Sequence, residues 1–452
     1  MSAHNESTTD RNRRSRGAGG VWAVRCGDSP APQGTPWAAH VIDGSYDGAD
    51  GVKTADVNGD GLIDFTTGFE EANVSVIYIH PGYEKVREPW PKIEAGQTPK
   101  VEDSEFADLD GDGYLDLISS CEDGNVYISW APGDSVDYLD ATKWKSEAIP
   151  ASSGLFRYMF SIPIDMDGKN GIDFISGPKS KPTSGNIGWH ESPVDPRIIK
   201  DWKWHPMYEA YWIMSLVAHD MDDDGDLDLV TTDRRGLNKG LRWLENPGHG
   251  DAQKQNWTNH WIGPQGVEGY MFIDIIDLDG DGLDDIVVGE YTNDKVMFFK
   301  RKDKTGLNWT TVAIDIPKEA TGEAKGIRVG DIDGDGTLDI VVSRRTYNDA
   351  DFGVMWLTPE TDYTNGTWIW KAISDPRERI FDRVELLDLD GDGDLDVLTA
   401  DQGKGSGKTG YGVVWFENPH NVPVRVNSAA ILNSEHKAKC AYPHSSTTDR
   451  LF

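Results

Sequence analysis

Asp388-Leu389-Asp390-Gly391-Asp392-Gly393-Asp394-Leu395-Asp396 places carboxylates at positions 1, 3, 5 and 9 of a glycine-bearing turn. Turns of the same kind begin at Asp56, Asp108, Asp165, Asp220, Asp277 and Asp331, so successive copies lie 52, 57, 55, 57, 54 and 57 residues apart. So regular a period is an internal repeat, and it constrains every later step of the reading.

The spacing has a chemical reason. Alternate oxygens of a tight turn converge on one point, and a hard cation of calcium's size takes about six to eight oxygens at about 2.3–2.6 Å. The ligand sets are Asp56, Asn58, Asp60 and Asp64; Asp108, Asp110, Asp112 and Asp116; Asp220, Asp222, Asp224 and Asp228; Asp277, Asp279, Asp281 and Asp285; Asp331, Asp333, Asp335 and Asp339; and Asp388, Asp390, Asp392 and Asp396. Asn58 still offers an oxygen, and Asp223 stands where glycine is usual in the fourth copy. The third copy puts Lys169 at the fifth position, so no tight calcium is expected there and the predicted complement is about six structural ions.

Around each loop the same local sequence recurs. A short apolar run precedes it and a β-branched run follows, such as Ile286-Val287-Val288 or Ile340-Val341-Val342. Next comes a segment ending in an aromatic, such as Trp243-Leu244-Glu245-Asn246-Pro247 or Trp415-Phe416-Glu417-Asn418-Pro419, then a fourth element such as Trp257 to Ile262. Period and composition read these as four strands per unit. Seven such units predict an all-β, seven-bladed propeller with four-stranded blades. One copy of the fourth element, Trp37 to Ile42, precedes the first loop and none clearly follows the last. Residues 37–42 are therefore predicted to form the outermost strand of the blade containing Asp388, removing an exposed edge. The propeller is expected over 37–419, with a disordered or expression-derived head at 1–36 and a tail at 420–452 in which Val424 to Leu432 is a further candidate strand.

Composition agrees with one large domain lacking a membrane span, since no stretch approaches the roughly 20 apolar residues one requires. The formal charge of −33 argues against nucleic acid, and six divalent ions would bring it only to −21. Cys26, Cys121 and Cys440 imply no disulfide framework. Several calcium sites and the acceptor sequons at Asn73, Asn256, Asn308 and Asn365 suit a secreted or periplasmic protein, although no leader is visible in this chain.

These loops, the Trp-Leu-Glu-Asn-Pro and Trp-Phe-Glu-Asn-Pro endings and the Trp-Thr-Asn-His-Trp-Ile strand resemble the FG-GAP/VCBS repeat family over residues 37–419. Its seven-bladed members include integrin α-subunit heads, a sugar-binding lectin, and carbohydrate lyases and dehydratases. The resemblance therefore implies a fold and calcium ligation by the residues quoted, and leaves activity open.

Function must come from where the blades differ. A binder with one pocket per blade would repeat its contact residues, yet the turns at the end of each blade away from the acidic loops do not repeat. They read Phe69-Glu70-Glu71, Cys121-Glu122-Asp123, Lys179-Ser180-Lys181, Asp233-Arg234-Arg235, Glu290-Tyr291, Arg344-Arg345-Thr346-Tyr347 and Lys404 to Lys408. The approaches to the innermost strands add Arg157-Tyr158, Tyr208, Tyr211-Trp212, Tyr270, Lys325 and Arg379. An Arg- and Tyr-rich mouth on an acidic protein points to one anionic oligo- or polysaccharide, because guanidinium forks pair carboxylate or sulfate bidentately while aromatic faces stack on pyranose rings. The matching reaction is β-elimination from a uronate. Arg234, Arg345 and Arg157 would neutralise the carboxylate, and Tyr158, Tyr211 and Tyr291 would move protons. The alternative is a non-catalytic lectin or adhesion propeller. Either is expected to act as a monomer.

Other residues read as scaffold. His40, His205 and His260 share one repeated position on the outer strand. His219, just before a loop, is expected to pack there. Three residues before each loop stand Lys53, Glu105, Ile162, Val217, Asp274, Arg328 and Glu385, whose alternating signs predict ion pairs between neighbouring blades.

Overall fold

The computed structural model describes residues 32–419 apart from 135, 181–182, 249, 318–321, 365–366 and 404–409. The expectations for the head up to residue 31, for the tail, for Lys181 and for Lys404 to Lys408 lie outside the described residues.

Seven antiparallel sheets of four strands each make up the described chain. Blades 1 to 6 occupy residues 49–97, 101–148, 158–210, 213–261, 270–315 and 322–372 in chain order. Within each blade the first strand faces the first strands of both neighbours, so these form an inner ring around the axis. The acidic loops join first to second strands at one end, which leaves the second-to-third turns at the opposite end. Among the described residues the helical segments are short 3-10 turns, and no helix is long and apolar enough to cross a membrane.

Blade 7 closes by exchange, as the spare fourth element requires. Phe381–Leu387, Asp396–Asp401 and Gly412–Glu417 supply three strands, and Ala38–Asp43 pairs with the last of these as the outer edge. The segment just before it grips blade 6: Gln33 N–H donates to Trp370 O at 2.7 Å and Trp37 N–H to Ile373 O at 2.8 Å. Eleven residues thus tie blade 6 to blade 7 and cover two sheet edges.

A repeated kit on the outer strands explains the Trp-x-Glu and His spacing. His40, His205 and His260 stack on Trp415, Trp189 and Trp243 with ring centroids 4.6, 4.7 and 4.3 Å apart. Each imidazole Nε2 also meets the glutamate two residues beyond that tryptophan, Glu417, Glu191 or Glu245, at 2.7, 2.6 and 2.6 Å. In blade 6 the ammonium of Lys371 takes the place of histidine, 4.0 Å from the Trp356 ring. These tryptophans are buried between blades, where truncating one would cost about 3–5 kcal/mol.

Two of the expected inter-blade pairs are present. Lys53 meets Glu105 at 2.7 Å across blades 1 and 2, and Arg328 grips Glu385 at 2.9 and 2.7 Å across blades 6 and 7. Asp274 accepts the backbone N–H of Val329, in the next blade, at 2.8 Å.

Candidate functional site

The acidic loops are built around their ninth residue. In all seven, one oxygen of that aspartate accepts the N–H of the loop's second residue at 2.8–3.2 Å, from Val57 in blade 1 to Leu389 in blade 7. The other oxygen accepts a backbone N–H at the end of the third strand, at 2.7–2.8 Å, from His80, Ala131, Ser192, Asn246, Arg301 and Asn418. Blade 6 has Pro359 there, which has no N–H to donate. The second residue's carbonyl is in turn held by the next blade: Leu389, Met166, Met221 and Ile332 accept from His80, Gln253, Arg301 and Asn418. One turn therefore fastens its own blade and its neighbour.

The remaining carboxylates fit a cation. Asp220, Asp222 and Asp228 bring one oxygen each within 4.8 Å of one another, as do Asp277, Asp279 and Asp285, and Asp108, Asp110 and Asp112. One oxygen each of Asp108, Asp220, Asp222, Asp279, Asp331 and Asp333 is buried without a hydrogen-bond partner among the described residues. Buried polar atoms are rarely left so, and a bound ion is a usual remedy. Burial also pushes the ninth-position carboxyls up, to about 6 at Asp64, about 7 at Asp173, Asp228, Asp285 and Asp339, and about 8 at Asp116 and Asp396. In the third loop Asp165, Asp167 and Asp173 still converge, and the Lys169 ammonium sits 2.9 Å from Asp167. Lys300 likewise contacts Asp279 and Asp281 in blade 5, a competing cation that the sequence reading did not identify.

At the opposite end the mouth divides into two poles. The first is cationic and aromatic. Arg234, 8% exposed, has its guanidinium 4.7 Å from the Trp212 ring and 4.4 Å from the Tyr291 ring, which come from two different inter-strand connections. Arg235 and Lys179 also approach Trp212, each at 5.3 Å. Arg345 lies over Tyr347 at 5.0 Å and 4.0 Å from Glu323. Tyr211 packs against Gly236, where a Cβ would lie 2.2 Å from the ring. Asp233 anchors this flank by accepting the N–H groups of Tyr211, Trp212 and Arg235 at 2.9, 3.0 and 3.3 Å.

Arg234, Tyr291, Tyr211 and Arg345 are thus brought to blades 4–6, and the other two predicted residues are not. Arg157 is exposed, 3.2 Å from Glu122, beside Lys179. Tyr158 is wholly buried beside Phe156, donates to Ser152 O at 2.9 Å, and has its pKa raised by burial. It is a core residue. Tyr270 is buried too, and Arg344 turns inward to Asp294.

The second pole, on blades 7, 1 and 2, is acidic, and the sequence reading missed it. Asp50, Glu102, Glu122 and Asp382 gather there with Lys179 and Lys325. Lys179 bridges Glu102 and Glu122 at 2.6 and 2.7 Å, and Lys325 meets Asp382 at 2.6 Å. Burial opposes the charge on Lys179, but the two glutamates outweigh it and hold its pKa above the ordinary value. Burial pushes Glu102 up to about 7. Burial, then the carboxylates of Glu102 and Asp382, push Asp50 well above the carboxylate range.

The FG-GAP-like repeat family model matches residues 220–288 and 277–342, which run from the fourth loop to the strand after the sixth. That match falls on the loops of a seven-bladed ring. The chain is a seven-bladed propeller that carries FG-GAP-like repeats at residues 220–342. No curated protein matches it in sequence. Among solved structures the chain is similar to the Dos1 propeller, at 10% identity and a TM-score of 0.46 over 79% of this chain and 75% of that one. It is similar also to BBS1N in a complex with ARL6DN, at 12% identity and 0.48 over 86% and 98%, and to a putative gluconolactonase, at 10% identity and 0.37 over 87% and 94%.

Proposed function

We propose that this propeller is a calcium-stabilised, exported protein that engages an anionic, uronate-containing glycan at a single site on the mouth and cleaves it by β-elimination. The observation that carries the reading is Arg234, largely buried between Trp212 and Tyr291 and without an ion-pair partner among the described residues. A desolvated guanidinium fixed by aromatic faces is a strong and geometrically selective carboxylate partner. The pairing of Trp212, Arg234 and Tyr291 sits at one place on the mouth, which fits one ligand per chain.

In the elimination, Arg234 neutralises the uronate carboxylate and acidifies the adjacent C–H, with Arg345 on the same flank. Tyr291, beside Arg234, would take that proton as its phenolate, the double bond would form as the C–O bond to the leaving sugar breaks, and the leaving oxygen would take a proton from solvent. Calcium would be held at positions 1, 3, 5 and 9 of the six intact loops, where it supplies charge compensation to crowded carboxylates and stiffens the ring.

The test is to incubate the calcium-loaded protein with glucuronate-, iduronate- and galacturonate-containing polymers and follow the ultraviolet absorbance of the unsaturated uronate. Rising absorbance that Arg234→Ala abolishes supports the reading, and flat traces on all three remove the lyase. The stacking of Trp212, Arg234 and Tyr291 also favours a second reading, a lectin or adhesion propeller, which would bind the same polymers without any rise.

A further inference from the structure

Each pole of the mouth holds a largely buried charged group with no ion-pair partner among the described residues. On the acidic side, Lys179 serves Glu102 and Glu122, Arg157 adds to Glu122, and Lys325 serves Asp382. Asp50 is left without a cation among the described residues. It is 9% exposed, one of its oxygens accepts from the Gln402 amide, and the other, Oδ2, is buried with no partner. Gln402 also donates to Asp382 at 3.0 Å, so the orphaned oxygen belongs to the cluster itself. On the cationic side the buried group without an ion pair among the described residues is Arg234, 8% exposed.

These charges are connected. Asp50 feels both Glu102 and Lys179, Lys179 reaches Trp212, and Trp212 carries Arg234. A continuous arc through blades 1 to 4 therefore begins at a carboxylate in need of a cation and ends at a guanidinium in need of an anion.

We propose that the mouth recognises a zwitterionic glycan, in which a uronate carboxylate seats on Arg234 and the free amine of an N-unsubstituted hexosamine in the same glycan chain seats on Asp50. This rests on the anionic-glycan reading above and names its substrate class. An ammonium supplies the three donors and the positive charge that Asp50 Oδ2 lacks, whereas an acetamide brings no charge and extra bulk. The repulsion from Glu102 and Asp382 that makes Asp50 hard to ionise alone becomes attraction toward such a group.

The experiment compares two polymers of alternating uronate and hexosamine, one N-acetylated and one chemically N-deacetylated, by titration calorimetry on the calcium-loaded full chain and on Asp50→Asn. The expected result is about tenfold tighter binding of the deacetylated polymer, the size of one charge-assisted contact. Asp50→Asn removes that preference and leaves affinity for the N-acetylated polymer unchanged. Its thermal midpoint should be equal or higher, since a buried acid crowded by Glu102 and Asp382 gives way to a neutral amide of the same shape, so a folding defect is readily told apart. Equal affinities for both polymers, or a preference for the N-acetylated one, overturn this inference while the anionic-glycan reading stands. Failure of both polymers to bind overturns the two together.

Discussion

His40 and Glu417 stand 377 positions apart in the chain and meet side chain to side chain at 2.7 Å, on a pair of strands that closes the ring. Arg87 of blade 1 adds two hydrogen bonds to the same carboxylate at 2.8 and 2.9 Å, so one glutamate of the last strand joins the closing strand and blade 1. Removing the imidazole loses a half-buried hydrogen bond and a ring stack on Trp415. His40→Ala should lower stability by about 1–2 kcal/mol in urea titrations. No change would mean that backbone pairing alone closes the ring.

The third loop offers a gain-of-function test. Its other ligands already converge, and Lys169 contributes the wrong charge at the fifth position. Lys169→Asp should add one calcium per chain by elemental analysis and raise the thermal midpoint in calcium. An unchanged ion count would show that convergence of Asp165, Asp167 and Asp173 is insufficient.

In blade 5 the obstacle is a neighbour instead of a ligand. Lys300 competes for Asp279 and Asp281, so Lys300→Gln should strengthen the weakest calcium step in a titration. Calcium affinities equal to those of the wild type would place that ammonium outside the ion's seat.

His190 is wholly buried among Phe174, Trp204 and Tyr158, and neither ring nitrogen has a partner among the described residues. Burial holds its pKa down to about 3, against an unfolded value of about 6.5. The unfolded chain therefore binds the extra proton as the pH falls from about 6.5 to about 3, and this residue's contribution to stability is lost across that window. His190→Phe should be neutral or stabilising at pH 7 and should flatten the acid loss. An equally steep acid loss in the variant would assign it to other groups.

The ring was legible because the loop motif states its own chemistry: carboxylates at alternate positions announce convergence, and their recurrence counts the blades. Strand exchange followed from a leftover element, and the histidine kit from a shared spacing to tryptophan. The mouth was legible only in part. A residue's place at a turn can be read from sequence, but the direction of its side chain depends on the neighbouring blade. Tyr158 was a plausible rim tyrosine until Phe156 and Ser152 claimed it, and Arg344 was a rim cation until Asp294, fifty residues earlier, drew it inward. The acidic pole escaped because Asp50, Glu102 and Asp382 belong to no recurring motif in a chain with 77 acids. A comparison of the opening residues of the inner strands, blade by blade, is the signal that would have found them.

The central claim, one anionic-ligand site organised by Arg234 on a ring held by its acidic loops, is tested most directly by calorimetric titration of the calcium-loaded protein with a purified uronate oligosaccharide. One site per chain is predicted, abolished by Arg234→Ala with the thermal midpoint nearly unchanged. Several equivalent sites, or full binding by Arg234→Ala, would contradict it.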